Sequence, residues 1–558
     1  MAALSLLTAL AVFWLAVHAV HHVWARRHAA RSVLPTLAAL RRKRLDVTLR
    51  HAYLHLETAR FNDLHDRVAL RFARGRRALW QRAAHTFYNV GSAAGVLGML
   101  VAIGLLCATA FWSLSSLWRP PATVPPPAPA FHKRSLNAPD FGAHPATGTH
   151  ANAGDGPVQL LIPGVTLPMS HLPLLLLALF VCQVIHEAGH AITAAMEQVP
   201  LLGVGASLLV LLPSAHVSLP AAGLAALAPP ARLRIIAAGA FHNIVLWLAL
   251  ASASQLGLGA ALWSCVGYRD VGAYGRVVVA VEEGSPVQAA LPVGAVILQI
   301  DDTPLTSTHS SQDLWSLYAS RNSERQSTEH LRWCMDSAWF LGQPTSCCDA
   351  QDPMSSSACF VSDAVESHVP DRAQRCASTL EVLRPGLEVV KRCTAAADCA
   401  EGSVCIRPRG DQRIMRVDFT APGRDDAHHT MVWSGPPEEF FEDVETSAYM
   451  PRYSFLPVWL PALIGTVMGY ISTLTLSLFL FNLLPLPYLD GSQLLDALTD
   501  LAVSIPSDKQ PDIELGTARA SSPPRTPHWY PRAKRAAQLT LQLLLLLSLL
   551  SALWRAYG

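Results

Sequence analysis

Two histidines with a glutamate between them form the most chemically suggestive stretch of the chain, Val184-Ile185-His186-Glu187-Ala188-Gly189-His190. On an α-helix His186 and His190 lie one turn apart on the same face. Both imidazoles can then reach one divalent ion, with Glu187 beside it to handle protons. The surrounding segment is almost wholly apolar. Within a membrane helix an unpaired central charge costs of the order of 2.5–3.5 kcal/mol on insertion scales. An ion that takes neutral imidazoles as ligands offsets that cost, so zinc chemistry inside a membrane is the first expectation.

Two histidines leave a tetrahedral catalytic zinc one protein ligand short. Asp490 is the candidate. It follows an apolar segment and the sequence Pro485-Leu486-Pro487, which must break a helix, and it precedes Gly491, which permits close backbone approach. The competing reading of Asp490 is a helix N-cap for residues 493–501, and spacing leaves both open. Cys182, one turn before His186, reads as a small packing residue. His18, His21, His22, His51 and His55 read as surface or interfacial residues rather than a second metal site.

The elements that must position these groups belong to a polytopic α-helical membrane protein. Of the 558 residues, 51% are hydrophobic and 15% charged, which is too apolar for an ordinary soluble protein. The net charge of +2 conceals an arginine-dense stretch from Arg26 to Arg82 and an acidic one from Glu438 to Glu445, so net charge says little about partners. About six spans are expected, near 2–24, 91–117, 172–198, 232–258, 455–482 and 536–554. The first reads as a signal anchor rather than a cleaved peptide. The basic loop after it, with Arg41-Arg42-Lys43-Arg44 and then Arg71, Arg74, Arg76 and Arg77, has the spacing of basic amphipathic helices and is expected on the cytosolic side. Residues 201–219 suit either strand or a re-entrant segment. The expected organisation is N-terminal spans with a basic amphipathic loop (1–118), a Pro/Gly-rich linker (119–157) and a membrane core with the HEAGH motif (158–269). A soluble insertion (270–450), a second part of the core with Leu489-Asp490-Gly491 (451–502), a linker (503–535) and a last span (536–558) follow.

Eight of the eleven cysteines, Cys334, Cys347, Cys348, Cys359, Cys376, Cys393, Cys399 and Cys405, cluster in the insertion without paired C-x2-C knuckles. That pattern indicates disulfides in an oxidising lumen, with about 105 pairings open. The start of the insertion reads as strand, turn, short helix, strand over 277–301, the order of a PDZ domain. If the insertion is lumenal, a single crossing by 91–117 puts the arginine-rich loop in the cytosol. Cysteines and arginines then agree.

His186-Glu187-Ala188-Gly189-His190, Asn482-x-x-Pro485 and Leu489-Asp490-Gly491 together resemble the site-2 protease family of intramembrane zinc metalloproteases. Phe241-His242-Asn243 and the PDZ-like, cysteine-rich insertion make the chain most similar to the family's animal members. The resemblance spans about 172–500. It implies that His186, His190 and Asp490 bind one Zn2+ and that Glu187 is the general base, taking a proton from the attacking water and returning it to the leaving amine. It also implies hydrolysis of a peptide bond within or beside a transmembrane helix, towards the cytosolic side. Animal members release membrane-anchored transcription factors with a single or hairpin span after a first lumenal cut, in sterol or endoplasmic-reticulum stress signalling, at the Golgi or endoplasmic reticulum. The lipid bilayer is the other expected partner, and no direct contact with nucleic acid is expected. Because a transmembrane helix hides its peptide bonds, the substrate must be locally unwound. Asn243 and Asn482 are candidates for holding its backbone or polarising its carbonyl; the competing reading of either is that it satisfies buried backbone. The rival functions are an ion-coupled transporter and an inactive PDZ-bearing membrane scaffold. Paired inverted repeats are missing, against the first, and the intact HEAGH and LDG motifs weigh against the second.

Overall fold

The computed structural model describes residues 2–29, 45–73, 78–117, 169–301, 303–305, 315, 332–349, 357–363, 373–383, 392–409, 414–422, 428–435, 437–504 and 528–557. The Arg41–Arg44 tract, Arg74, Arg76, Arg77, the expected linker 119–157 and most of the expected linker 503–535 lie outside them. The principal helices are α1 (Ala2–Ala29), α2 (Asn62–Ala73), α3 (Ala78–Leu117), α4 (Leu172–Met196), α5 (Pro229–Gln255), α6 (Leu460–Asn482), α7 (Asp490–Ser504) and α8 (Tyr530–Tyr557). Six helices among the described residues, all of these except α2 and α7, are long and apolar enough to cross a membrane. The chain is a multi-pass membrane protein, with spans where the apolar runs place them. Helix α3 begins thirteen residues earlier than its apolar run suggests, at Ala78.

The described residues form two compact units: one holds residues up to 117, 169–252 and 467–557, and the other holds 253–466. In the first unit α5 is central. Its N-terminal half buries Leu233, Ile236, Ala237 and Ala240 against Met99 of α3, Phe479 of α6, Leu483 just beyond it, and Leu494 and Ala497 of α7. Small residues on this face let the helix backbones approach closely, which in a membrane replaces the missing hydrophobic drive between helices.

The same unit contains an antiparallel sheet of β1 (Asp46–Arg50), β2 (Tyr53–Thr58), β3 (Gly203–Leu209) and β4 (Leu212–Ser218), in that order. Residues 203–218 are thus a β-hairpin, as the strand reading expects. Residues 46–58 correct the expectation of helix throughout the basic loop. Val47, Thr48, Leu49, Tyr53, Leu54 and Leu56 favour a pleated surface; β1 alternates exposed and half-buried positions, and the arginine tracts flank the hairpin. Strand β2 pairs with β3 from Tyr53↔Leu209 to Thr58↔Val204. Helix α1 seals the hairpin ends, with Trp14 Nε1 donating to the Val210 carbonyl (3.1 Å) and His18 Nε2 2.8 Å from the His51 carbonyl.

The second unit carries two main sheets. One orders β14 (His428–Ser434), β13 (Ile414–Thr420), β7 (Val296–Ile300), β6 (Arg276–Val281) and β15 (Val444–Ser447), with the short β8 (Thr303–Pro304) beside β7. It closes over a core that includes Val278, Ile297, Ile300, Val417 and Phe440. A 3-10 turn at Pro286–Ala289 lies between β6 and β7, giving the expected strand, turn, short helix, strand order. Between β8 and β13 in sequence, a second sheet orders β11 (Gln374–Ser378), β10 (Ser357–Asp363), β12 (Ser403–Pro408) and β9 (Trp333–Asp336) around Trp333, Phe340, Phe360 and Ile406. Its eight cysteines form four disulfides: Cys334–Cys399, Cys347–Cys376, Cys348–Cys359 and Cys393–Cys405. A small pair, β5 (Tyr268–Asp270) with β16 (Tyr449–Pro451), completes the unit.

Candidate metal centre

Helix α4 presents His186 and His190 from successive turns, and α7 presents Asp490 from its first residue. Asp490 Oδ2 lies 2.9 Å from His186 Nε2 and 3.3 Å from His190 Nε2, and the two Nε2 atoms are 3.2 Å apart. These three side chains form the His/Asp group capable of holding an ion among the described residues. Ligands about 2.0–2.1 Å from a tetrahedral zinc stand roughly 3.3 Å from one another, so the donor set has the separations that ion requires.

Space for the ion comes from α5. A Cβ added at Gly239 would lie 2.6 Å from His186 Nε2 and closer still to His190 Nε2. Any side chain at that position would take up the volume beside both ligand nitrogens. Donor types, spacing and this gap all fit zinc.

The ring orientations are fixed from behind. His190 Nδ1 lies 2.8 Å from the Ile235 carbonyl of α5, so Nδ1–H donates to that oxygen and Nε2 is left as a lone-pair donor towards Asp490. Asn243 Nδ2 lies 3.2 Å and Asn482 Nδ2 3.5 Å from His186 Nδ1. Asn243 is fully buried and its Oδ1 has no partner. Turning its amide over, a choice fixed only by the hydrogen-bond network, gives His186 Nδ1–H an acceptor and satisfies that oxygen. Both asparagines expected at the site are therefore there, grouped at the back of His186.

The break before α7 is built by Pro485 and Pro487 together with Tyr488, whose φ is 70°. A Cβ at Gly491 would collide with the carbonyl oxygens of Leu483 and Leu484. Only glycine lets the chain fold back tightly enough to bring Asp490 beside α4. Asp490 does begin the helix, as the capping alternative has it, but its Oδ2 is directed at the two imidazoles.

Glu187 faces the sheet. Its Oε2 accepts from Val217 N–H of β4 (2.9 Å), and Gln183, one turn earlier, accepts from Ala215 N–H (3.0 Å). Two successive outward N–H groups of an edge strand are thus clipped to α4. Gln183 and Gly239 are not apparent from sequence. A glutamine four residues before the glutamate in an apolar helix is the signal that points to the first. His242 Nε2 lies 3.1 Å from Tyr88 Oη of α3 and the two rings stack.

The model of peptidase family M50 matches residues 174–432. The match includes His186, Glu187, His190 and Asn243 but ends before Asn482 and Asp490, whose place at the centre comes from the geometry alone.

Proposed function

We propose that this chain, whose residues 174–432 match the model of peptidase family M50, is an intramembrane zinc endopeptidase with His186, His190 and Asp490 as ligands and Glu187 as general base. Members of the family are zinc metalloproteases. The observation that carries the finer reading is the convergence of Asp490 with two imidazoles 304 and 300 positions earlier in sequence, at separations matching zinc ligands.

Zinc in such a site makes water a nucleophile near neutral pH and polarises the scissile carbonyl. Glu187 takes the proton of the attacking water and delivers it to the departing amine. Val217 N–H holds Oε2 and so sets the direction of Oε1. Asn243 fixes the His186 ring, and Asn482, half-buried beside it, is the better placed of the two to reach a substrate backbone.

A substrate helix must give up its own hydrogen bonds to be cut. The irregular turn at Pro485–Pro487 supplies backbone with which an unwound strand can pair. The natural substrates in this reading are membrane-anchored transcription factors with a single or hairpin span, cut after a first lumenal cleavage in sterol or stress signalling at the Golgi or endoplasmic reticulum. The disulfide-bonded, PDZ-like unit would be lumenal and act as a docking site or size filter.

The test is co-expression of a tagged single-span substrate with the wild type or Glu187→Gln protein. Cleavage by the wild type alone supports the proposal, and equal cleavage by both removes it.

A further inference from the structure

The second unit carries an apolar surface that its own fold does not explain. Residues 251–268 contain no charged side chain. Within them the helix Leu258–Val266 is bounded by Gly257 and Gly267, both left-handed, with φ of 65° and 111°. None of its residues is buried. Leu258, Leu262 and Val266, four residues apart, expose one continuous aliphatic face, with Leu262 62% accessible. One flank of the helix docks through Trp263, which packs edge-on against Tyr268 and lies beside Tyr449.

A second segment extends this face. Tyr453 and Phe455 stack on each other, centroids 5.5 Å apart, and both are exposed, Phe455 at 79%. The two segments are tied together: Arg452 N–H donates to the Gly267 carbonyl (2.9 Å), Tyr268 Oη donates to the Pro457 carbonyl (2.9 Å), and Tyr453 and Leu456 lie against Gly267. Exposed Trp459 follows, immediately before α6, while the helix at Leu258 begins three residues after α5 ends. Both of those helices are long and apolar enough to cross a membrane. Arg269 and Arg452, both exposed, flank the patch.

We infer that this face, helix Leu258–Val266 together with the aromatic turn 453–459, lies in a lipid bilayer's interface and seats the second unit on the membrane. Three observations select lipid over a protein partner. Its segments adjoin two membrane-crossing helices; its aromatics are Tyr and Trp, with Phe, the types that favour the headgroup level; and the cations at its rim can meet lipid phosphates. The aliphatic face sits roughly 5–10 Å below the phosphates, the depth such helices reach. The inference does not depend on the protein being a protease.

Cys265 supplies a probe. It is a free, exposed thiol three residues after Leu262 on the same face, and Cys107 is the other exposed free thiol among the described residues. The full chain carrying Cys107→Ser is placed in phosphatidylcholine–phosphatidylserine nanodiscs and spin-labelled at Cys265. Collision rates with oxygen and with a water-soluble nickel chelate then report depth. The reference is a label at the exposed turn residue, in Cys107→Ser/Cys265→Ser/Glu283→Cys protein. An oxygen-to-chelate ratio several-fold above the reference is expected, falling towards it when Leu262→Asp and Phe455→Asp are introduced. Equal ratios at the two sites overturn the inference. So does a label shielded from both reagents with spin–spin broadening that grows with protein density, because that result gives the face to a second copy.

Discussion

His186, His190 and Asp490 form a group that could hold a metal ion because three kinds of constraint meet there. Helical spacing aligns the imidazoles, a forced break at Pro485–Pro487 turns Asp490 back, and the bare backbone of Gly239 leaves room beside both Nε2 atoms. The first two can be read in sequence, since they follow from the 3.6-residue turn and from proline's missing N–H. Gly239 cannot, because its importance depends on which face of α5 meets α4. Replacing it makes a sharp prediction: Gly239→Ala protein, extracted and folded, holds far less zinc than the wild type by elemental analysis, whereas Ala240→Gly retains it. Asn243→Ala, which removes the group behind His186, should weaken zinc binding about 10–100-fold in a chelator competition, the range typical of residues that orient a metal ligand. Glu187→Gln should bind zinc normally and lose about 10²–10⁴ of its cleavage rate, the usual contribution of general acid–base catalysis.

At the scale of elements, the spans are legible because apolar length is a local property. The sheet beside the site is not, because β2 and β3 lie about 150 residues apart and pair only once the intervening spans are placed. The alternation in Val47–Leu49 and Tyr53–Leu56 is the local trace of it, masked by the arginines on either side. The sheet also carries a pH response. His216 of β4 stacks on His55 of β2, ring centroids 4.7 Å apart. Burial pushes the His216 imidazole below its ordinary 6.5, the neighbouring His55 adds to the fall, and Glu57 opposes it. The unfolded chain therefore takes up a proton near 6.5 that the folded sheet resists. The neutral ring's contribution to stability is present above that pH and is lost as the pH falls from about 6.5 towards the lower folded value. Amide protection factors in β3 and β4 should drop between pH 7.5 and 5.5, and His216→Phe should flatten the change. An unchanged protection in wild-type protein would show that the ring's burial is not coupled to the sheet.

Across the whole molecule, the candidate metal ligands and the disulfides fall in different units: His186, His190 and Asp490 lie in the first and all eight bonded cysteines in the second. The cysteine cluster announces the disulfides in sequence, whereas their pairing depends on the registers of β9–β12. Cys348→Ser/Cys359→Ser protein should lose about 2–5 kcal/mol from the insertion, seen as faster proteolysis of residues 332–409, with zinc content unchanged. The central claim is that one zinc is held jointly by α4 and α7, and zinc per chain in purified wild-type and Asp490→Ala protein tests it most directly. One tightly bound ion in the wild type and none in the variant is the expected result. Equally tight, stoichiometric zinc in Asp490→Ala would return that carboxylate to the role of a helix cap and contradict the account.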